Sequence, residues 1–192
     1  MNLPNRLTIS RIVLTFVFIV FLLYEGILPK LFALLTFIIA SLTDYYDGKL
    51  AKKLNLVSDF GKLIDPVADK ILVLGAFLRF LQMQLIPLWM VIVIVSREFL
   101  ITGLRLFAFE KGKVISASKQ AKHKTVSQIV AILSILVFLV LREILMKFSL
   151  WSQDLKVLFN LLIYVLMFIT VILTTISGIS YLWQNRRIIV RI

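Results

Sequence analysis

Carboxylates gather in one stretch of this 192-residue chain, from Asp44 to Asp69. Asp44, Asp47, Asp59, Asp65 and Asp69 are half of the 10 acidic residues in a sequence that is 60% hydrophobic, with a net charge of +12. Asp44 and Asp47 stand at i, i+3, and Asp65 and Asp69 at i, i+4, so each pair shares one face of a helix. Gly48 and Ala51 continue the Asp44 face, and Gly61 lies one turn before Asp65, which opens space beside the carboxylates. The basic connector from Lys52 to Asn55 contains no long apolar run, so two helices joined there are expected to lie antiparallel with their acidic ends together. Four ionised carboxylates at one place repel one another, and each costs about 2.5–3.5 kcal/mol at the centre of a membrane helix. Divalent cations relieve both problems. Oxygen-only ligation without His or Cys suits Mg²⁺ or Mn²⁺, and two such ions would neutralise four Asp. A paired-metal site suits an in-line displacement at phosphorus, because it holds the attacking and leaving oxygens together.

The same residues resemble the signature of the CDP-alcohol phosphatidyltransferases, D-x2-D-G-x2-A-R-x8-G-x3-D-x3-D. Here it reads Asp44, Asp47, Gly48, Ala51, Lys52, Gly61, Asp65, Asp69, with every spacing kept. Lys52 stands where the family usually has Arg; it keeps the positive charge and loses the bidentate fork that suits a diphosphate. The opening NLPNRLTISR, the run FGKLIDPVADK at residues 60–70, REFLITGLR from Arg97 to Arg105 and AKHKTVSQ from Ala121 to Gln128 are similar to the phosphatidylglycerophosphate-forming branch of that family. Ala121 occupies a position where members more often have Gly.

The resemblance implies an enzyme that joins CDP-diacylglycerol to sn-glycerol 3-phosphate, releasing CMP, by metal-assisted displacement at the β-phosphorus. Asp44, Asp47, Asp65 and Asp69 would ligate two divalent ions, Mg²⁺ or Mn²⁺. Gly48, Ala51 and Gly61 would let the nucleotide approach the helix backbone, and Lys52 would contact the diphosphate. Asp69, the last Asp of the signature, would be the base for the acceptor hydroxyl. Arg97, Arg105, Lys122 and Lys124, on charge, depth and partial resemblance, are the candidates for the acceptor phosphate. The resemblance also suggests a homodimer.

These residues must be positioned by helices in a bilayer. A mean hydropathy of +0.99 places the chain in the membrane class. Apolar cores at residues 12–23, 31–42, 71–78, 85–95, 129–141 and 157–176 predict an all-α integral membrane protein of six transmembrane helices, with residues 1–192 forming one domain. Residues 2–8 predict a short interfacial helix at the N-terminus. The apolar run from Ile12 to Leu23 is followed by Tyr24 to Pro29, which lacks a small-x-small cleavage site, so the first helix is read as uncleaved. With both termini on one side, Arg6, Arg11, the lysines between Lys49 and Lys62, those between Lys111 and Lys124, and Arg186, Arg187 and Arg191 fall on that side. Lys30, Arg142, Lys147 and Lys156 fall opposite. The positive-inside rule then makes the termini and the Asp cluster cytoplasmic, in a multi-pass protein of the cell's inner membrane. The basic loops would be drawn to anionic lipid at that face, an explanation of the charge that needs no nucleic acid. Cys is absent, which excludes disulfides and thiolate metal sites.

Local alternatives stand beside the functional ones. Asp65 before Pro66 has the form of an N-cap with Pro at N1, although capping leaves Asp69 unexplained. Glu98, within the fourth apolar helix, reads either as an internal ion pair with a neighbouring helix or as part of a wet cavity. Arg97 and Arg105 exceed what one Glu can pair with, which favours a phosphate role for at least one. His123 reads as an interfacial side chain, and Ser177, Gly178 and Ser180 as small residues permitting close helix packing. Two other functions compete: the same family chemistry with another acceptor alcohol, such as phosphatidylglycerol, serine or an inositol phosphate, and a divalent-cation transporter. The latter predicts acids at the midplane rather than at helix ends.

Overall fold

The computed structural model describes residues 3–54, 59–111 and 120–189, with side chains described at 9–43, 70–108, 111 and 124–186. The described residues form helices alone: α1 Leu3–Leu23, α2 Ile27–Leu54, α3 Asp59–Gln82, α4 Leu88–Glu110, α5 Gln120–Lys147 and α6 Gln153–Ile189. Each apolar core read from the sequence falls within one helix, except that the first residues of the fourth core, Leu85 to Pro87, make the turn before α4.

Two local expectations are corrected. The short N-terminal helix is not a separate element, because residues 3–8 run without a break into α1. Nothing in Asn-Arg-Leu-Thr-Ile-Ser stops a helix, and Pro4 sits in its first turn, where its missing N–H costs nothing. Asp65 is not an N-cap, because α3 begins at Asp59 and carries Pro66 inside its second turn. Capping therefore accounts for neither Asp65 nor Asp69.

Packing places α1 against α2 and α3, α5 between α2 and α6, and α4 along α6. The buried core runs through Phe18 and Leu22 of α1, Phe37 of α2, Phe77 and Phe80 of α3, Met90 and Ile94 of α4, Ile132 and Ile135 of α5, and Met167 of α6. Small residues bring the helices close. Ala33, Ala40, Ala76 and Ala131 are fully buried, and a Cβ on Gly75 would stand 3.0 Å from Ile19 Cδ1 across the α1/α3 contact. Hydroxyls inside the helices return to the preceding turn: Thr15 Oγ1 donates to the Arg11 carbonyl at 2.8 Å, Thr36 to Phe32 at 2.7 Å and Thr43 to Ile39 at 2.7 Å.

The helix ends opposite the Asp motif are closed by backbone caps. Gln84 (φ 58°) and Ser149 (φ 56°) take the left-handed position after α3 and α5. Leu85 N donates to the Phe80 carbonyl at 3.0 Å and Gln84 N to Leu81 at 2.9 Å; Leu150 N and Ser149 N repeat the pattern on Leu145 and Met146. These are paired 6→1 and 5→2 bonds of the Schellman type. Ser152 opens α6 by accepting from Leu155 N at 3.2 Å, with Asp154 in the first turn.

The outer surface is apolar. Val13, Phe16 and Val20 of α1, Leu35 and Ile39 of α2, and Leu161, Phe168, Ile172 and Ile179 of α6 are all exposed. Among the described residues, Lys124–Lys147 and Gln153–Arg186 are long and apolar enough to cross a membrane, each with mean hydropathy 2.6.

Candidate active site

The signature is divided between two consecutive helices. Asp44, Asp47, Gly48, Ala51 and Lys52 occupy the last three turns of α2, and Gly61, Asp65 and Asp69 the first three of α3. Both segments are helical, so the i, i+3 and i, i+4 spacings have the periodicity on which the face-sharing argument depends. Only four residues, 55–58, separate the helices in the chain. The side chains of all eight signature residues, and those of Lys122 and His123, lie outside the described ones, as does Asn55 of the connector. As a donor set, four carboxylates on two successive helices suit a hard divalent cation with oxygen ligands. Among the described residues, no group of three or more His, Cys, Asp or Glu side chains is placed to hold a metal ion.

Directly after Asp69, the described side chains converge. Lys70 of α3 donates to the Thr102 hydroxyl of α4, which ties the signature helix to the helix of Arg97, Glu98 and Arg105. Glu98, 8% exposed, is the centre of a charged cluster. Its Oε1 accepts from Lys124 Nζ of α5, from Arg97 Nη1 at 3.2 Å and from Gln128 Nε2 at 3.4 Å. The Glu98–Lys124 pair crosses from α4 to α5, which is the interhelical ion pair that the sequence left open for Glu98. Lys124 is 8% exposed and Gln128 3%, so Glu98 supplies the negative charge that lets α5 bury a cation here. Lys70, Glu98, Lys124, Thr125 and Gln128 line a small cavity of about 20 Å³, room for about one water molecule with several polar partners.

The two arginines of α4 are held from α6. Arg97 Nη2 donates to Ser177 Oγ at 3.0 Å, and its stem lies over Gly178, where a Cβ would stand 3.1 Å from Arg97 Cγ. Arg105 Nε donates to the Tyr181 hydroxyl at 3.2 Å, with its guanidinium carbon 5.2 Å from the Tyr181 ring centroid. Tyr181 is 1% exposed, so the ring is a fixed support. Ser177, Gly178 and Tyr181 stand at i, i+1 and i+4 of one helix and grip residues eight apart on another, which is why α4 and α6 pack along each other at this end. The small residues of α6 do permit close approach, and what approaches is the Arg97 side chain.

Among the described residues, this cluster holds four cations, Lys70, Arg97, Arg105 and Lys124, against one carboxylate, with Lys70 donating to the Thr102 hydroxyl. Lys124 is taken up by Glu98, and Arg105 by a neutral hydroxyl. Arg97 Nε is buried without a hydrogen-bond partner among the described residues. Such an array retains an excess of positive charge and donors, which suits a dianionic ligand. Sequence reasoning singled out Arg97, Glu98, Arg105 and Lys124, and the structure brings all four into one cluster. It missed Lys70, Gln128, Ser177 and Tyr181 as members. Arg11 of α1, read only as a basic residue of the N-terminal side, is 2% exposed and engaged in polar interactions.

The family model described as CDP-alcohol phosphatidyltransferase matches residues 1–180. A Bacillus subtilis protein named CDP-diacylglycerol–glycerol-3-phosphate 3-phosphatidyltransferase is 46% identical over 147 residues, covering 70% of this chain and 76% of its own length. A Rickettsia bellii protein of the same name is 37% identical over 181 residues, covering 94% of this chain and 93% of its own.

Proposed function

The chain belongs to the CDP-alcohol phosphatidyltransferase family, and from that premise we propose that it transfers the phosphatidyl group of CDP-diacylglycerol to sn-glycerol 3-phosphate, giving phosphatidylglycerophosphate and CMP. The observation that carries the acceptor is the cluster on α4, α5 and α6. It joins the signature helix through Lys70 and Thr102 and holds two arginines in excess of its one carboxylate. A phosphorylated acceptor uses that excess; an acceptor with no net charge, such as serine, leaves it uncompensated. The names of the relatives agree with glycerol 3-phosphate.

In this reading Asp44, Asp47, Asp65 and Asp69 hold two divalent ions, Mg²⁺ or Mn²⁺. Bound there, the ions supply charge neutralisation and Lewis acidity at the diphosphate. Gly48, Ala51 and Gly61 leave room for the nucleotide against the helix backbone, and Lys52 meets the diphosphate as a point charge. Asp69 takes the proton from the acceptor hydroxyl. The hydroxyl oxygen forms a bond to the β-phosphorus, the phosphoanhydride bond breaks, and CMP leaves with the electron pair. Arg97 and Arg105 bind the acceptor phosphate, aided by Lys122. Lys124, engaged by Glu98, acts mainly by fixing the cluster and adding to its positive field.

The chain is read as a multi-pass protein of the inner membrane with six spans, cytoplasmic termini and the active site at the cytoplasmic face. The apolar outer surface, the internally satisfied threonine hydroxyls and the asymmetry of Lys and Arg support this. Acyl chains then remain in the bilayer while the charged acceptor enters from water, beside anionic lipid. A homodimer, suggested by the family resemblance, belongs to the same reading. Family membership sets the cation transporter aside.

The test is CMP release from purified protein with CDP-diacylglycerol and Mg²⁺, offering glycerol 3-phosphate, serine, inositol phosphate or no acceptor, alongside Asp69→Asn. Release with glycerol 3-phosphate alone, lost in the variant, is expected. Release with a different acceptor would keep the family chemistry and overturn the acceptor.

A further inference from the structure

We propose that the end of the bundle opposite the aspartate signature holds a second anion site, which takes the phosphate of an acidic phospholipid from the far leaflet. The proposal rests on the membrane reading above. A cavity of about 370 Å³ opens between the α3–α4 turn, α5 and α6, within the range of small-ligand sites. Arg142 of α5 and Lys156 of α6 line it together with the amides of Gln84 and Asn160, and no acidic residue does. Trp151 and Phe159 form one wall, their rings 5.2 Å apart and edge to face, with Phe159 packed the same way on Phe138. Such a wall is rigid, and aromatic rings at a helix end suit the headgroup level of a bilayer.

Two pairs of cations at this end differ in their partners, while Lys147 borders the hollow of Glu143. Lys30 Nζ donates to the Leu22 and Tyr24 carbonyls at 3.0 and 2.8 Å, and Arg79 Nη2 to Leu22 at 2.9 Å, so both are occupied in closing α1. The nearest acid in the chain to Arg142, Glu143, accepts from Gly26 N at 3.0 Å and borders a different hollow. The Arg142 and Lys156 side chains have no hydrogen bond or ion pair among the described residues, yet they line one concavity. Two like charges sharing a cavity repel, and an anion between them removes the repulsion and uses the amides as further donors.

The neighbouring surface distinguishes a lipid from free phosphate. A second hollow of about 440 Å³ shares Gln84 and Asn160 with the first and continues over Leu81, Ile86, Leu88 and Tyr164. A charged pocket that runs into an apolar one fits an amphiphile, with the phosphodiester at Arg142 and Lys156 and an acyl chain along the second hollow.

The full chain, with Trp89→Phe and Trp183→Phe so that Trp151 alone reports, is reconstituted in phosphatidylcholine bilayers. These contain equal mole fractions of acyl-brominated phosphatidylglycerol or acyl-brominated phosphatidylcholine. Two cations at the headgroup level should enrich the acidic lipid by roughly tenfold or more. Trp151 should therefore be quenched several-fold more efficiently by the brominated acidic lipid. Arg142→Ala with Lys156→Ala should remove the difference while CMP release with glycerol 3-phosphate is kept. If the double variant does not fold, Lys156→Ala alone should halve the difference or more. Equal quenching by the two lipids, or a difference that survives both substitutions, would overturn the proposal. Loss of the difference on adding inorganic phosphate would replace the lipid by a free anion and overturn it as well. Quenching by neither lipid would instead remove the membrane reading itself.

Discussion

The two polar ends of the bundle use the same residue types for opposite purposes. At the far end, Lys30 and Arg79 point their donors into the carbonyls that close α1, and Glu143 accepts the Gly26 amide, at a residue with φ +107° where glycine is required. Those charges are spent on backbone, apart from Arg79 Nη1, which donates to Gln82 Oε1 at 2.7 Å. At the signature end, Arg97, Arg105, Lys124 and Glu98 make their contacts with side chains, Arg97 with its neighbour Glu98 and the rest from helix to helix. Charge count alone does not separate the two ends; the partner of each cation does. A cation bonded to a helix carbonyl is a cap, whereas cations held side by side by hydroxyls, with one shared carboxylate, are poised for an anion from outside.

Substitutions in the α4–α6 cluster and at the α1 caps should therefore divide into kinetic and purely structural effects. The largest effect is expected for Asp69→Asn, which should lower CMP release about 10²–10⁴-fold, the range for a lost general base, and activity should be no more than slightly restored by raising glycerol 3-phosphate. Glu98→Ala strands a buried Lys124 and should cost about 3–5 kcal/mol, read as a fall in the thermal unfolding midpoint. Stability unchanged by Glu98→Ala would break the contrast, because the cluster would then not be held together by its ion pair. Lys30→Met should cost only about 1–2 kcal/mol, the worth of its carbonyl bonds, and leave both substrate KM values as they were. A change in either KM would mean that Lys30 does more than close α1. The smallest effect sharpens the comparison from α6. Gly178→Ala pushes the Arg97 stem by a few tenths of an ångström and should raise the KM for glycerol 3-phosphate about two- to five-fold, since a shifted charged hydrogen bond loses a fraction of its roughly 1.5–3 kcal/mol. Ser180→Ala, on the same helix, serves as the control and should be silent.

Much of this was legible in the chain itself. Six apolar segments separated by polar ones gave six helices because an apolar stripe of helical length has few other ways to satisfy its backbone in an apolar setting. The signature spacing was legible because helical periodicity acts over three or four residues. Boundaries were less so: Pro66 looked like a helix start, yet α3 begins at Asp59 and carries the proline in its second turn. Residues that meet over long separations were hidden. Arg97 and Ser177 are 80 apart in sequence, and Arg79 and Leu22 57 apart. The Ser177-Gly178 pair carried a signal of close packing without identifying what packs. Arg105 was singled out by its charge, but nothing local announced Tyr181 as its support. Lys124, expected at the acceptor phosphate by charge, pairs with Glu98, a partner that the sequence did not assign to it and that a cation at 8% exposure needs.

The central claim is that the α4 arginines bind the acceptor rather than the nucleotide lipid. Initial rates of CMP release by Arg105→Ala, measured across glycerol 3-phosphate and CDP-diacylglycerol concentrations, test it most directly. The KM for glycerol 3-phosphate should rise roughly 10- to 100-fold, the loss of one charged hydrogen-bonding group, while that for CDP-diacylglycerol stays within a factor of two or so. Equal increases in both, or an increase confined to CDP-diacylglycerol, would contradict it.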